Sequence, residues 1–227
     1  MKFTLYTANC TGNAKNSIYP NKADIANEED FKVATCRDHV SAEYKNFHRS
    51  KSNYITGNVD VMDCDNDHSD HPKDWIYPDM YPDIFPDVSF VVVPSRHDGK
   101  VKGKKSARPR HHVYFPHQPT VSAEDCSALK KRIYAAASFF DNGATDAARF
   151  MYGCQSGNII WHEGSRTIDE FLDEKAFSNV DKKTITEGSR NKSMSRFAGK
   201  IVKRYGCTED VRRHWRRKNW IPSGTAP

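Results

Sequence analysis

The sequence lacks several features that would assign it to a well-marked class. No apolar run approaches the roughly 18 residues that a membrane span needs. The N-terminal MKFTLYTANCTGN contains no apolar stretch, so we expect no secretory signal. None of the 6 cysteines forms a Cys-x-x-Cys pair, which argues against a zinc ribbon and favours reduced thiols in a cytoplasmic protein. A Gly-x4-Gly-Lys-Ser/Thr motif is also missing, which excludes a P-loop motor.

The charge of the chain is unevenly distributed. At 227 residues the chain is long enough to bury a substantial core, and its formal net charge is +6. Residues 182–220 contain thirteen Lys or Arg and three acidic residues, a local balance of +10, so the remainder carries −4. A basic tail on a mildly acidic body indicates a polyanionic partner, although a solvated helical surface has the same composition.

Helix and strand patterns alternate up to about residue 180, which predicts an α/β or α+β body. We therefore divide the chain into residues 1–180 and a small basic helical module at residues 181–227, where apolar residues recur at helical spacing. In the first half of the chain we expect an irregular segment at 1–23, a helix starting near Asn27, strand–turn–strand at 52–64 and a loop at 71–87. Strands follow from Ser89 and from His111. We then expect a helix from Ser122 to Asn142 and a hairpin at 148–164 around Gln155–Gly157.

The most informative stretch is VDVMDCDNDHSD at residues 59–70. Asp63 and Asp65 end an apolar run, and side chains two residues apart share one face of a strand. Such a pair of like charges is typical of a site for a hard divalent cation such as Mg²⁺, which takes carboxylate oxygens together with substrate phosphates. A solvated acidic turn is the alternative.

A basic segment lies between the two predicted central strands. Residues 96–111 contain seven Lys or Arg and one acidic residue, Asp98. A flexible loop of this composition would grip a triphosphate or a nucleic-acid backbone, and the alternative is a solvated hairpin loop.

Three further residues are candidates for chemistry. His112 opens an apolar strand, where it would contact a phosphate or serve as a satisfied structural residue, and strand parity turns His111 to the other face. Asp141 follows two aromatic residues and is either a third metal ligand or a polar residue at a helix end. Arg149 begins the next predicted strand and would face a nucleotide.

In combination these motifs resemble the catalytic core of archaeo-eukaryotic-type primases, in particular the primase-polymerases of phages, plasmids and integrative elements. The matching segments are Val61–Asp65, Arg110–Phe115, Phe139–Asp141 and Arg149, within residues 30 to 170. Arg110 departs from the family pattern, which has a small residue there; either Arg110 adds a phosphate contact or His112 is placed differently.

The resemblance implies a fold, an activity and a set of site residues. The fold would be an α+β primase-polymerase core, with an RRM-like palm whose strands carry the acidic site, followed by the basic helical module. Template-directed nucleotidyl transfer would use two divalent ions, Mg²⁺ or Mn²⁺, held by Asp63, Asp65 and Asp141. The incoming triphosphate would be held by Arg110, His112, Arg149, Lys104 and Arg108. The nucleic acid would be bound by Arg96, Lys100, Lys102, Lys105, Arg190, Lys192, Arg212, Arg213, Arg216 and Arg217.

The implied partners are a single-stranded DNA template, nucleoside triphosphates and a replicative helicase on another chain or domain, without any membrane. The implied setting is the cytoplasm of a bacterial or archaeal host of a mobile element. Two other functions fit the same residues: a DNA-binding replication initiator without polymerase activity, and a metal-dependent nuclease or phosphohydrolase. A need for triphosphates separates the first function from these two.

Overall fold

The computed structural model describes residues 1–154 and 158–180, and the predicted helical module at 181–227 lies outside them. Within these ranges the fold is α+β, as predicted, and Met1–Ala176 form a compact unit. The strands are β1 (Phe3–Thr7), β2 (Asn21–Ile25), β3 (His39–Val40), β4 (Glu43–Tyr44), β5 (Tyr54–Cys64), β6 (Phe90–Pro94), β7 (His111–Thr120), β8 (Phe150–Met151) and β9 (Ile160–His162). The helices are α1 (Glu28–Thr35), α2 (Tyr81–Ile84), α3 (Ala123–Ala136) and α4 (Ile168–Val180).

The strands form two sheets in which the paired strands run antiparallel. A five-stranded sheet has the order β4-β5-β7-β6-β9, and a four-stranded sheet has the order β2-β1-β3-β8. In the larger sheet β7 lies between β5 and β6, so that His112 stands opposite both Asp63 on β5 and Val93 on β6. This register brings two predicted site residues together on neighbouring strands.

Side chains of the five-stranded sheet alternate between its two faces, and a hydrophobic core covers each face. Met62 and Val113 point to one face, where they pack in a core with Leu129 of α3 and Phe171 of α4. The opposite face carries a second core, in which Val61 and Val93 meet residues of β1, β2 and α1. The same alternation places Asp63 and His112 on the face of this second core, at the ends of their strands.

Two helices begin at the predicted capping residues. The side chain of Asn27 accepts a hydrogen bond from the Asp30 amide at 2.9 Å, and α1 follows. Ser122 accepts from the Asp125 amide at 3.0 Å at the start of α3. These side chains satisfy amides that have no partner within the helix. However, α3 ends at Ala136, before the predicted stop near Asn142.

Three predictions about local structure were wrong. Residues 1–23 are not irregular, because they contain β1 and the start of β2. Residues 54–64 form one continuous strand, β5, in which a register shift between Gly57 and Val59 replaces the predicted turn. The predicted hairpin at 148–164 does not form, because β8 pairs with β3 and β9 pairs with β6 in different sheets.

In the described ranges, no helix is long and apolar enough to cross a membrane.

Candidate active site

The ends of β5 and β7 carry the centre of the site. His112 Nδ1 lies 2.7 Å from Asp63 Oδ1, and the Asp63 side chain is nearly inaccessible to solvent. Burial lowers the pKa of His112 to about 4, although the charge of Asp65 opposes this effect. The ring is therefore neutral at pH 7, and its Nδ1–H donates to the carboxylate of Asp63.

The segment after α3 brings two more predicted residues to Asp63. The Asp141 amide donates to the backbone carbonyl of Asp63 at 2.8 Å. The Arg149 guanidinium forms an ion pair with the Asp63 carboxylate and donates to the Gly143 carbonyl at 3.1 Å. The Asp141 carboxylate is exposed and accepts a hydrogen bond from the Gly143 amide at 2.9 Å. Asp63, Asp141, His112 and Arg149 therefore meet at one point of the fold.

Asp65 lies just beyond β5 and pairs with the basic segment. Lys102 Nζ is 2.6 Å from Asp65 Oδ2, and a quarter of the Asp65 side chain is exposed. Arg110 Nε is 3.9 Å from the other carboxylate oxygen. In this arrangement both motif carboxylates are neutralised by cations of the chain itself.

The next residue, Asn66, connects this motif to two other segments. It is fully buried and adopts a left-handed backbone conformation with φ of 54°, which asparagine tolerates better than most residues. Its side chain donates to the carbonyls of Ile76 at 3.0 Å and Pro109 at 2.9 Å, and it accepts from the Ile76 amide at 2.8 Å. Asn66 thereby fixes the chain direction immediately after Asp65.

Arg108 and Arg110, which we predicted to bind nucleotide, are buried inside the basic segment. Arg108 donates to the Asn66 carbonyl at 2.9 Å and to the Asp70 carboxylate at 2.8 Å. Arg110 donates to the Lys100 carbonyl at 2.6 Å, and no part of its side chain is exposed. The two guanidinium groups hold the segment together, so the predicted flexible loop is folded around internal arginines.

The other predicted basic residues have different positions. Lys102 and Arg96 line the same cavity as Asp63, whereas Lys104 is exposed on the segment. Lys100 donates to the Arg96 carbonyl at 3.0 Å, and Lys105 pairs with Asp70 at 3.4 Å. The remaining predicted nucleic-acid contacts lie outside the described residues: Arg190, Lys192, Arg212, Arg213, Arg216 and Arg217.

A cavity of about 480 Å³ opens over these groups. Its lining includes the three predicted carboxylates, the further carboxylate of Asp146, and nitrogen-bearing side chains beside them: Asp63, Asp65, Asp141, His112, Lys102 and Arg149. Across residues 1–154 and 158–180, no three His, Cys, Asp or Glu side chains are grouped closely enough to hold a metal ion. The oxygen donors are nevertheless of the kind that Mg²⁺ and Mn²⁺ prefer, and all three reach one cavity.

A row of side chains also lines the cavity: Arg49, Phe150, Tyr152 and Arg96, here named the cation–aromatic strip. Sequence reasoning predicted Arg96 as a nucleic-acid contact and missed the other three. Phe150 and Tyr152 flank Met151, which is buried in the second core. The alternation of Phe150, Met151 and Tyr152 was a usable signal, because it separates the two aromatic rings from the second core, and Phe150 packs partly against another cluster around Tyr44 and Ala147. Arg49 gave no such signal, because it follows a short irregular segment.

Comparison with known proteins gives one structural similarity. No protein-family model matches the chain, and no curated protein matches it. The AEP domain of the cyanophage S-2L primase-polymerase superposes with a TM-score of 0.41 at 17% sequence identity, over 75% of this chain and 87% of that domain. At this level of similarity, function has to be inferred from the residues of the site.

Proposed function

We propose that the protein is a template-dependent nucleotidyltransferase of the primase-polymerase type, with the cavity over Asp63 as its active site. The supporting observation is the convergence of three carboxylates with Arg149, Lys102 and His112 in one cavity. Carboxylates that hold cations, beside cations that hold phosphates, are what phosphoryl and nucleotidyl transfer require. The motif resemblance to phage and plasmid primases adds to this reading.

The metal ligands in this proposal are Asp63, Asp65 and Asp141. Two divalent ions, Mg²⁺ or Mn²⁺, would supply the charge that activates an attacking hydroxyl and neutralises the leaving pyrophosphate. The chain's contribution is to hold the carboxylates on a rigid frame: β5 carries Asp63, and a backbone hydrogen bond of 2.8 Å ties Asp141 to it. Asn66 fixes the position of the segment that carries Asp65.

Arg149 and Lys102 have two roles in this proposal. Without nucleotide they neutralise Asp63 and Asp65. When the carboxylates bind cations, the guanidinium and ammonium groups are released to pair with the triphosphate, whose oxygens they suit. His112 acts as a positioning residue, because its Nδ1–H already orients the Asp63 carboxylate. This differs from the predicted phosphate contact of His112.

The nucleic acid in this proposal is a single-stranded DNA template. The exposed lysines of the basic segment and the basic residues of 181–227 would follow its backbone, so its affinity would fall as salt concentration rises. We place the activity in replication of a mobile element, beside a helicase supplied by another chain or domain.

The test is primed DNA synthesis by carboxylate variants. Asp63→Asn and Asp65→Asn should reduce synthesis by at least about a hundredfold, because each removes a charge that binds cation and stabilises the transition state. Binding of single-stranded DNA without metal should change by less than about twofold, because neither carboxylate attracts a polyanion. Synthesis is followed by gel, and binding by fluorescence anisotropy.

Two features of the design keep the test decisive. Asp65 is more exposed than Asp63 and pairs mainly with an exposed lysine, so Asp65→Asn leaves the core intact even if Asp63→Asn does not. Asp79→Asn serves as the matched control, because Asp79 is an exposed acid outside the cavity. Synthesis retained in both carboxylate variants, at the level of the Asp79 control, would refute the proposed site.

A further inference from the structure

The cation–aromatic strip lines the cavity but takes no part in the proposed chemistry. The Arg49 guanidinium carbon lies 4.9 Å from the Phe150 ring centroid, and that of Arg96 lies 3.8 Å from the Tyr152 ring centroid. The two rings are 4.8 Å apart and meet edge to face at 71°. Two guanidinium groups therefore cap two neighbouring aromatic rings along one edge of the cavity.

The strip is built into the fold. Phe150 belongs to β8, which pairs with β3, and the intervening Met151 is buried in the second core. Arg49 is fixed by a hydrogen bond of 2.7 Å from its Nη1 to the Ala148 carbonyl, while its buried Nε has no hydrogen-bond partner. The strip thus combines a ring carried by a paired strand with a buried guanidinium nitrogen that has no hydrogen-bond partner.

We infer that the strip is a binding site for unpaired nucleobases, which stack on the Arg96–Tyr152 pair. Aromatic rings and guanidinium planes are the surfaces on which single-stranded bases stack, and stacking of this kind tolerates any sequence. Arg96 is exposed, so its side chain is accessible to a base. In a template-dependent polymerase, an unpaired base beside the catalytic carboxylates belongs to the template strand. The identification of the bound strand as a template therefore rests on the proposed function.

The same chemistry would also accept the base of a free nucleotide, and the charge distribution favours the strand. Triphosphate oxygens are expected at Arg149 and Lys102, next to the carboxylates. Arg49 and Arg96 carry a further two positive charges along the strip, which suits a chain of phosphates rather than a single nucleotide.

The experiment measures binding of a fluorescent single-stranded oligonucleotide to the full chain without metal or triphosphate. Salt of about 0.3 M is used, because it weakens backbone attraction and leaves stacking. Tyr152→Ala should weaken binding about tenfold, Tyr152→Phe should stay within about twofold, and Arg96→Lys should weaken binding although it keeps the charge. Tyr77→Ala is the matched control, because Tyr77 is an exposed aromatic residue outside this cavity.

A second arm tests the base itself. Replacing bases of the oligonucleotide by abasic sites should weaken wild-type binding, and it should have little further effect on Tyr152→Ala. Equal binding by Tyr152→Ala and wild type would overturn the inference. Loss of triphosphate binding with unchanged oligonucleotide binding would also overturn it, because the strip would then hold the incoming base. This experiment measures binding and not synthesis. Its result therefore stands even if the carboxylate variants retain activity and the proposed function fails.

Discussion

Burial sets the protonation state of His39, and its two hydrogen bonds are compatible with that state. His39 lines the proposed active site, where its Nδ1 is 2.8 Å from the Arg37 carbonyl and its Nε2 is 2.7 Å from the Tyr114 hydroxyl. A neutral ring satisfies both contacts, since Nδ1–H donates to the carbonyl and Nε2 accepts from the hydroxyl. Burial accordingly lowers the pKa of His39 to about 4, although the hydrogen bond to Arg37 opposes this effect.

This arrangement predicts loss of stability in acid. Below about pH 6.5 the unfolded chain takes up a proton at His39, whereas the folded protein does not until about pH 4. The stability is therefore present above pH 6.5 and falls towards pH 4, by about 3 kcal/mol for this residue. Urea unfolding at pH 7 and pH 4.5 measures the loss, which His39→Gln should reduce.

A nuclear magnetic resonance titration of the folded protein gives an independent check. The His39 ring should show no protonation between pH 8 and pH 5. A His39 midpoint near the ordinary histidine value of about 6.5 would contradict the assignment of a neutral, hydrogen-bonded ring.

At this scale the sequence predicted the strand residues of the site better than the loop residues. Strand alternation predicted that His111 and His112 point to opposite faces, and His111 contacts the Tyr81 hydroxyl at 2.9 Å on the face away from Asp63. Arg108 and Arg110 follow no such rule. Their burial depends on carbonyl groups of distant segments, which no local pattern reveals.

At the level of elements, the side chain of Asn66 connects the end of β5 to two other segments. Asn66 makes three hydrogen bonds that join the strand end to the segments at Ile76 and Pro109. Asn66→Gly keeps the left-handed backbone accessible and removes these bonds, so it should lower the free energy of unfolding by about 2 to 4 kcal/mol. Urea denaturation measures this change.

The functional consequence of this substitution follows from its position beside Asp65. Asn66→Gly should also reduce DNA synthesis under conditions where the variant is fully folded, because Asp65 loses its support. Asn46→Gly is a suitable comparison, since Asn46 is exposed, lies outside the cavity and has the same φ of 54°. Stability and activity of Asn66→Gly equal to wild type would show that the strand end is fixed by other contacts.

The elements predicted correctly were those with local signals. Asn27 and Ser122 mark the starts of α1 and α3, because their side chains cap the helices. The apolar run after Ser89 forms β6. The hairpin at 148–164 was wrong because pairing is decided by the partner strands. Gly153 shows that the chain after β8 packs tightly against the end of α1. A Cβ at this position would lie 2.5 Å from the Cys36 carbonyl oxygen.

Over the described residues, the two faces of the five-stranded sheet pack against different elements. One face packs on α3 and α4 in an apolar core, whereas the other face meets the four-stranded sheet and α1 and carries the acidic site at its edge. The packed core gives the carboxylates a rigid support, which transfer chemistry needs for positioning. The cavity lies at the strand ends, and under the proposed function a template and a nucleotide would enter there.

The central claim is that this cavity joins nucleotides on a template, and one measurement tests it most directly. Wild-type protein and Asp65→Asn are incubated with a single-stranded DNA template, with and without a primer, labelled triphosphates, and Mg²⁺ or Mn²⁺. We predict elongated products that require template and triphosphates and that are absent with Asp65→Asn. Absence of product with wild type under all these conditions, or template degradation without triphosphates, would contradict the account in favour of a DNA-binding initiator or a nuclease, respectively.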